Sequence, residues 1–296
     1  MRRLAVMTTV AAFAAAVGFT VMHFWPIGKP VSNSSLEGDA GRGAYLARIS
    51  GCIGCHTDSK NGGKPLTGGV AFSTDFGTFY SPNLTMDKTD GMGGWTIHDF
   101  DKAVRQGVSP NGQPYYPAFP YAFYANFSDQ DIADLWAAFE TVPAVSELSK
   151  KHDLGLPFSY RPGLKIWRAA YGTQADAAKP VEGKSDLWNR GRFLAEGPMH
   201  CGACHSPRNF AGARITDRKF EGSTSLPDGG KSPPITVTHL KKEGWTKDDI
   251  SFALKIGILP DGDVFGSLMG DFVNEATQYM SNEDLNALST YLMNEN

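Results

Sequence analysis

Two cysteine pairs, each followed directly by a histidine, are the feature that most limits what this chain can become. The motifs are Cys52-Ile-Gly-Cys55-His56 and Cys201-Gly-Ala-Cys204-His205. C-x-x-C-H is the pattern for covalent haem c attachment, in which two thiols form thioether bonds and the adjacent imidazole ligates the iron. The sequence therefore predicts two haem c groups, with His56 as an iron ligand in the first and His205 in the second.

Other chemistries also use paired cysteines, including redox-active dithiols and zinc sites built from two C-x-x-C arms. Neither alternative explains why His56 and His205 directly follow the cysteine pairs, whereas haem attachment gives each histidine a function as an iron ligand. The chain has 4 cysteines, all of them in these motifs, so none remains for a disulfide.

Composition narrows the remaining function classes. The 296 residues are 41% hydrophobic and 20% charged, which is typical of a globular chain with a core and long enough for two domains. The formal net charge is −3, and no segment carries a basic stripe. The electrostatic footprint of a nucleic-acid binder is therefore missing, and we expect no nucleic-acid partner.

The residues at the N-terminus predict the cellular location of the protein. Residues 4–25 carry no formal charge, follow Arg2 and Arg3, and run past their alanines to Trp25 instead of ending at a small-x-small cleavage site. This pattern predicts a transmembrane helix within residues 1–30, with the arginines in the cytoplasm and the haem domains in the periplasm. The predicted localisation is the inner membrane. A cleaved signal peptide is the alternative, and it leaves the periplasmic location unchanged.

The chain beyond a Gly/Ser-containing linker near residues 32–40 passes twice through the same series of elements. Matching segments are Gly43-Ala-Tyr45-Leu46 with Gly191-Arg-Phe193-Leu194, Ser81-Pro-Asn-Leu-Thr85 with Ser232-Pro-Pro-Ile-Thr236, and Gly94-Trp-Thr-Ile-His-Asp99 with Gly244-Trp-Thr-Lys-Asp-Asp249. The last pair is separated by 150 residues. The repeat predicts cytochrome c domains at residues 38–142 and 184–296, joined by a strap at residues 143–183.

Each copy ends in an amphipathic helix with a serine cap, Ser128 in the first copy and Ser281 in the second. Apolar residues then recur on one helical face; they are Ile132, Leu135, Trp136 and Phe139, and Leu285, Leu288 and Leu292. No alternating strand pattern of any length is present. The predicted fold class is therefore all-α, with two tandem domains whose long loops wrap round the haems, after the N-terminal transmembrane helix.

Several segments together carry a family resemblance. They are Ser81-Pro-Asn-Leu-Thr85, Asp99-Phe-Asp-Lys-Ala-Val-Arg105, Tyr116-Pro-Ala-Phe-Pro-Tyr121, Cys201-Gly-Ala-Cys-His-Ser-Pro-Arg208 and Thr277-Gln-Tyr279. With them, the chain resembles the membrane-bound cytochrome c subunits of periplasmic alcohol, gluconate and related dehydrogenases. The resemblance implies an electron-transfer protein and not an enzyme. It also implies a periplasmic dehydrogenase subunit as donor, and a quinone, another cytochrome or a terminal oxidase as acceptor.

A c-type iron that transfers electrons often takes a methionine thioether as its second axial ligand. Met269 lies between the helix that begins near Gly244 and the last helix, where this ligand is expected, and it matches the family's ligand position. Met280 stands next to a helix cap and is more typical of core filler, while Met199 is too close to Cys201 to reach the opposite haem face. Met269 is therefore the predicted ligand of the second iron.

The first iron has no equivalent ligand. The repeat spacing of 150 residues places Phe119 at the position of Met269, where the three-haem relatives have a methionine, and phenylalanine cannot ligate iron. Met86, Met92, His98 or no protein ligand all remain open. An open position would allow an enzyme of the peroxidase or thiosulfate dehydrogenase type, although the Phe119 segment offers only apolar residues and tyrosines for acid-base work.

Residues around the motifs have weaker predicted roles. The carbonyls of Pro82 and Pro233 are placed to accept from the Nδ1 hydrogens of the motif histidines, as partners of metal-bound histidines do. Trp95, Trp245 and Arg208 are candidates for contact with haem propionates, with a core position for the tryptophans and a surface position for the arginine as alternatives.

Overall fold

The computed structural model describes residues 2–31, 36–172, 179–226 and 229–295. Within these ranges most of the regular structure is helical. The helices are α1 (Arg2–Phe24), α2 (Ala40–Ile49), α3 (Cys52–Cys55), α4 (Ile97–Gln106), α5 (Tyr121–Tyr124), α6 (Asp129–Glu140), α7 (Leu164–Tyr171), α8 (Asp186–Glu196), α9 (Val237–Lys242), α10 (Lys247–Ile256), α11 (Ser267–Glu275) and α12 (Asn282–Leu292). Residues 32–35 of the predicted linker and residues 173–178 of the predicted strap lie outside the described ranges.

The same helix crossing occurs in each copy of the repeat, which we call copy 1 (residues 38–142) and copy 2 (residues 184–295). In copy 1 helix α2 crosses α6, and in copy 2 helix α8 crosses α12. A Cβ added at Gly43 would lie 1.8 Å from the Asp134 carbonyl oxygen, and one at Gly191 would lie 1.9 Å from that of Ala287. Since only glycine permits such a close backbone approach, the two glycines are equivalent, as the repeat predicts.

An ion pair joins each pair of crossing helices. Arg42 on α2 donates to the buried carboxylate of Asp134 on α6 at 2.7 Å, and Arg190 on α8 donates to Asp284 on α12 at 2.8 Å. Each aspartate is buried and accepts two hydrogen bonds from its arginine. The pairs fix the crossing geometry, because removing one partner would leave a buried charge unpaired.

The predicted helix starts are confirmed. Thr96 and Asp99 form a reciprocal capping box at the start of α4, and Thr246 and Asp249 form the same box at the start of α10. Ser128 caps α6 through the Asp131 amide in the same way. Local side-chain chemistry therefore sets where these helices begin.

A small antiparallel sheet differs from the predicted all-α class. Strands β1 (Ala71–Thr74) and β2 (Gly77–Tyr80) form a hairpin in copy 1, and β3 (Asp153–Leu154) from the strap pairs with β2. The turn needs Gly77, whose φ is 118° and whose added Cβ would lie 2.4 Å from the Asp153 carbonyl oxygen. Strands this short carry no readable alternation, so the sequence does not reveal them.

The predicted inner-membrane localisation through an N-terminal span is wrong. Among the described residues, we find no helix that combines the length and the apolarity needed to cross a bilayer. Helix α1 begins with two arginines and includes Thr8, Thr9, Gly18 and Thr20 among its apolar residues. The prediction rested on the absence of charged residues, whereas a transmembrane helix needs about 20 predominantly apolar residues.

Copy 1 packs directly on copy 2 around helix α3, which carries the first cysteine pair. A Cβ added at Gly54 would lie 2.8 Å from Cβ of Glu275 at the end of α11. Lys60 forms an ion pair with Asp271 of the same helix at 2.8 Å, and the Tyr45 hydroxyl donates to Asp284 at 2.7 Å. The first motif therefore lies against the helix that carries Met269.

Candidate haem-attachment sites

The two histidines of the motifs are oriented alike. Nδ1 of His56 lies 2.8 Å from the carbonyl oxygen of Pro82, and Nδ1 of His205 lies 2.8 Å from that of Pro233. Because a carbonyl only accepts, Nδ1 must carry the hydrogen in each ring, and Nε2 is left with a free lone pair. This confirms the predicted partners, and it is the arrangement that metal-bound histidines need.

Burial keeps both imidazoles neutral. It lowers the pKa of His56 to about 4, against a smaller opposing effect of the Pro82 carbonyl, and it lowers the pKa of His205 in the same way. A neutral ring with a free nitrogen lone pair is the form that binds iron. Both histidines are therefore prepared as metal ligands at neutral pH.

Among the described residues none of the four thiols forms a disulfide, and all four are partly buried. Burial raises the pKa of Cys52 to about 12 and that of Cys55 to about 11, and a thiolate at Cys204 would raise that of Cys55 further. Burial likewise raises the pKa of Cys201 to about 12. Cys55 and Cys204 line one cavity, so the two motifs lie near each other. The raised pKa values are the opposite of the lowered ones that reactive dithiols have.

One glycine beside each motif histidine holds the histidine near its proline, and the sequence analysis missed both glycines. The amide of Gly68 donates to the His56 carbonyl at 2.8 Å, and the amide of Gly222 donates to the His205 carbonyl at 3.0 Å. Both have positive φ, and an added Cβ would lie 2.4 Å from the Ser81 carbonyl oxygen or 2.7 Å from that of Ser232. Glycine is thus required beside each Ser-Pro segment.

The irregular spacing of these glycines explains why they were missed. Gly68 follows His56 by 12 residues, but Gly222 follows His205 by 17. The repeat spacing of 150 residues therefore does not align them. A usable signal would have been a glycine between each motif and the following Ser-Pro pair.

Both motifs open on one cavity of about 2200 Å³. Typical small-molecule pockets measure about 300–1,000 Å³, so this space suits more than one large ligand. All four cysteines and both motif histidines line it, and so do Met269, Phe119 and Met92. In the described structure Met86, His98 and Met280 are not among its lining residues.

Phe119 and Met269 occupy equivalent places relative to the backbone. The Tyr115 amide donates to the Gly107 carbonyl at 2.8 Å, and the Phe265 amide donates to the Gly257 carbonyl at 3.0 Å. Each residue of the second pair is 150 positions beyond its counterpart. The structure therefore supports the sequence alignment of Phe119 with Met269, and both side chains reach the cavity.

Among the candidates for the first iron, only Met92 reaches the cavity. It is 2% exposed and held by a 2.7 Å hydrogen bond from its amide to the Thr85 carbonyl. Met86 packs against the core, and His98 lies in the first turn of α4. Met92 is therefore the one of these three candidates that lines the cavity.

The residues with weaker predictions also face the cavity. Trp95, Trp245 and Arg208 all line it. Arg208 is not the surface side chain that the alternative prediction described, because its guanidinium donates to the carbonyls of Ala203 and Gly212 at 2.9 and 2.7 Å. Met199 lines the cavity too, with 2% of its surface exposed.

The donor set fits covalent haem. Each site combines two cavity-facing thiols, spaced for two thioether bonds, with a neutral histidine whose Nε2 is free. A zinc site would need its donors converged, and the described residues contain no group of histidine, cysteine and carboxylate side chains that could hold a metal ion by themselves. The fold and these sites together define a c-type cytochrome.

Comparison with known proteins identifies the family to which the chain belongs. A dihaem c-type cytochrome of Cereibacter sphaeroides is 39% identical over 267 residues, which cover 88% of this chain and 86% of that protein. No protein-family model matches the chain. The identity and coverage show that this chain belongs to the same family of c-type cytochromes.

Subunits of dehydrogenases are similar as well. The cytochrome c subunit of gluconate 2-dehydrogenase from Pantoea cypripedii is 38% identical over 85% of this chain, and the cytochrome c subunit of a quinone alcohol dehydrogenase from Gluconacetobacter polyoxogenes is 34% identical over 99%. The chain spans only 58% and 62% of the lengths of these two subunits. The resemblance to such subunits is confirmed, and with it the prediction of an electron-transfer protein in place of an enzyme.

Proposed function

We propose that this chain is a dihaem cytochrome c that relays electrons from a dehydrogenase partner toward the respiratory chain. The observation that carries the proposal is the duplicated attachment geometry, in which each motif histidine donates Nδ1–H to a proline carbonyl at 2.8 Å beside a shared cavity. A single site would support a monohaem carrier. Two adjacent sites support transfer between haems within the chain.

The proposed roles of the residues follow from the motifs. Cys52 and Cys55 hold haem 1, and Cys201 and Cys204 hold haem 2. His56 and His205 ligate the two irons, and Met269 completes the coordination of haem 2. When bound, haem c supplies a one-electron Fe(III)/Fe(II) couple, which the protein tunes through axial ligands, hydrogen bonds and burial.

We assign the two haems to two cytochrome c domains, residues 38–142 and 184–296, joined by the strap at residues 143–183. The helix crossings at Gly43 and Gly191 support this division. The strap contacts both copies, since Arg168 donates to the Gly107 carbonyl at 2.9 Å and Trp167 donates to the Ala211 carbonyl at 2.8 Å. It would therefore fix the relative position of the two haems.

The donor in this proposal is a dehydrogenase subunit, because several relatives are named as cytochrome subunits of dehydrogenases. The acceptor is a quinone, another cytochrome or a terminal oxidase. The Tyr residues around Phe119 argue against an enzymatic alternative at haem 1. Burial raises the pKa of Tyr115 to about 12 and raises the pKa of Tyr124 well above its ordinary value, so neither phenol acts as a general base near neutral pH.

Haem content and reduction by a donor test the proposal. We expect the protein from a haem c-maturing host to carry two haems by pyridine haemochrome assay and intact mass, and the double variant Cys201→Ala/Cys204→Ala to carry one. We also expect rapid anaerobic reduction by the purified dehydrogenase with which the protein copurifies. Fewer than two haems, or no reduction by any such dehydrogenase, would contradict the proposal.

A further inference from the structure

The turn after helix α4 in copy 1 and the turn after α10 in copy 2 share a backbone bridge but differ in exposure. An isolated antiparallel bridge joins Val108 to Pro114 in copy 1. The equivalent bridge in copy 2 joins Ile258 to Val264, and each residue lies 150 positions beyond its counterpart. Both residues of the first bridge are buried, whereas 40% of Ile258 and 60% of Val264 are exposed. The same apolar positions are therefore covered in copy 1 and exposed in copy 2.

The segment that follows α1 covers this surface in copy 1. A Cβ added at Gly28 would lie 3.3 Å from Cγ2 of Val108. The amide of Lys29 donates to Oε1 of Gln106 at 2.6 Å, and Nε2 of the same glutamine donates to the Lys29 carbonyl at 3.1 Å. Gln106 thus holds the segment by its backbone, and Val108 is buried beneath it.

Helix α7 of the strap is attached to the same surface through basic side chains. Arg168 donates to the carbonyls of Gln106 and Gly107, at the end of α4, at 2.6 and 2.9 Å. Lys165 donates to the Trp25 carbonyl at 2.7 Å and so joins α7 to the segment that follows α1. The carbonyls at the C-terminal end of a helix carry partial negative charge, which favours such cations. In copy 1 this surface therefore accepts an amphipathic helix with basic side chains.

The equivalent surface of copy 2 consists of exposed apolar side chains in the described structure. Phe252 and Ile256 lie four residues apart on one face of α10, and the chain leads from them into Ile258 and Val264. We call these four residues the copy 2 face. Ile256 stands at the position of Gln106, so copy 2 lacks the amide group that holds the covering segment in copy 1. Exposed apolar clusters of this kind mark interaction sites.

The charges beside the copy 2 face indicate which kind of partner it suits. Asp261 and Asp263 lie in its turn, where copy 1 has Asn111 and Gln113. Both aspartates are exposed, and within the described structure their carboxylates accept only the backbone amides of Asp263 and Val264. A partner with basic side chains would pair with them. A two-fold contact between copies of this chain would instead bring four carboxylates together.

We propose that the copy 2 face docks the dehydrogenase partner, which places an amphipathic helix with basic side chains there, as α7 does in copy 1. The inference rests on the proposed function, because that function supplies the partner. Val264 and Phe265 also line the cavity and precede Met269 by five and four residues. A partner bound at the copy 2 face therefore lies beside the cavity onto which both attachment motifs open.

Binding to the purified dehydrogenase with which the protein copurifies tests the proposal. We expect the holoprotein variant Ile256→Gln/Ile258→Gln to bind about tenfold or more weakly by surface plasmon resonance, because two apolar contacts lose their burial. Leu148→Gln is the matched control, since Leu148 is an exposed apolar residue of the strap outside the copy 2 face and should leave the affinity unchanged. Urea unfolding and pyridine haemochrome assay show whether each variant is folded with two haems.

A second variant tests the charges in the exposed turn. Asp261→Asn/Asp263→Asn keeps the side-chain oxygens that accept backbone amides and removes both charges. We expect weaker binding at low ionic strength and a smaller dependence of the association rate on salt, because salt screens surface charges that steer association. Glu140→Gln is the control, since Glu140 is an exposed carboxylate of copy 1 and should change neither quantity.

Three outcomes would count against these assignments. Unchanged affinity of both double variants, with two haems bound, would overturn the docking site and leave the proposed function standing. Dimers of the wild-type protein that Ile256→Gln/Ile258→Gln converts to monomers in analytical ultracentrifugation would overturn it as well, because a second copy would then occupy the copy 2 face. A wild-type protein that the dehydrogenase neither binds nor reduces would instead contradict the proposed function.

Discussion

Copies 1 and 2 hold their histidines alike but differ on the side where the second axial ligand is expected. Each histidine donates to a proline carbonyl at 2.8 Å, beside a glycine with positive φ. Copy 2 places Met269 on helix α11 beside the cavity, whereas copy 1 places Phe119 at the equivalent position, between the Tyr115–Gly107 hydrogen bond and α5. The comparison shows that the contacts of the motif histidine are the same in both copies, while the side chain at the predicted ligand position differs.

The surroundings of the two sites also differ. In copy 1 the β1–β2 hairpin and the strap cover the cavity, and Phe119 packs among tyrosines, with a ring centroid distance of 5.7 Å to Tyr124. In copy 2 the corresponding wall is helix α11, which lies against helix α3 of copy 1. An aromatic wall offers no thioether to iron, so the two irons should be unequal.

Replacing Met269 should have the largest effect. We expect Met269→Ala to abolish the Met-to-iron charge-transfer band and to lower the potential of one haem, because the thioether favours ferrous haem. Met280→Ala is the control, since Met280 is 1% exposed and should cost about 2–5 kcal/mol of stability without loss of the band. Absorption spectroscopy near the band and redox titration measure both; an intact band in Met269→Ala would place the ligand elsewhere.

Exogenous ligands should distinguish the two irons in the wild-type protein. We expect a small ligand such as carbon monoxide to bind one ferrous haem and leave the other unaffected, because only copy 2 presents a methionine from the predicted ligand position. EPR of the ferric protein should show the same asymmetry. Two low-spin His/Met signals of matched potential would mean that Met92 ligates the first iron and would remove the asymmetry.

Restoring a thioether should remove much of the difference between the copies. Phe119→Met places a methionine at the position equivalent to Met269, and we expect the potential of haem 1 to rise and its affinity for carbon monoxide to fall. Phe119→Leu is the control, because it changes the wall without offering a ligand. Equal potentials in both variants would show that position 119 does not face the iron.

The glycines beside the histidines should give the smallest effect. We expect Gly68→Ala and Gly222→Ala to destabilise the holoprotein by about 1–3 kcal/mol through collision with the Ser-Pro backbone, with the larger loss at Gly68. Gly112→Ala separates this collision from backbone strain, because Gly112 has φ of 73° but no neighbouring atom within 4 Å of an added Cβ. Urea unfolding measures the free energy of unfolding of all three variants. Equal losses of stability in the three would mean that backbone strain, and not the collision, is the cause.

Much of the fold was predictable because the determining interactions are local. The capping residues Thr96, Thr246 and Ser128 begin the helices that the sequence indicates. The short hairpin and β3 were not, since β3 joins β2 across more than 70 residues of chain. The N-terminal span was predicted wrongly because absence of charge is a weaker criterion than apolarity.

The attachment chemistry could be predicted from the sequence, because two thiols and a histidine at fixed spacing are the local pattern for haem c. The pairing of Phe119 with Met269 was also predictable, since the spacing of 150 residues between Gly94 and Gly244 also relates the Tyr115–Gly107 hydrogen bond to the Phe265–Gly257 hydrogen bond. Tertiary structure alone decided that both motifs share one cavity and that Met92 reaches it while Met86 and His98 do not. It also decided the contacts of Gly68 and Gly222, because such close approaches depend on residues that are distant in the chain.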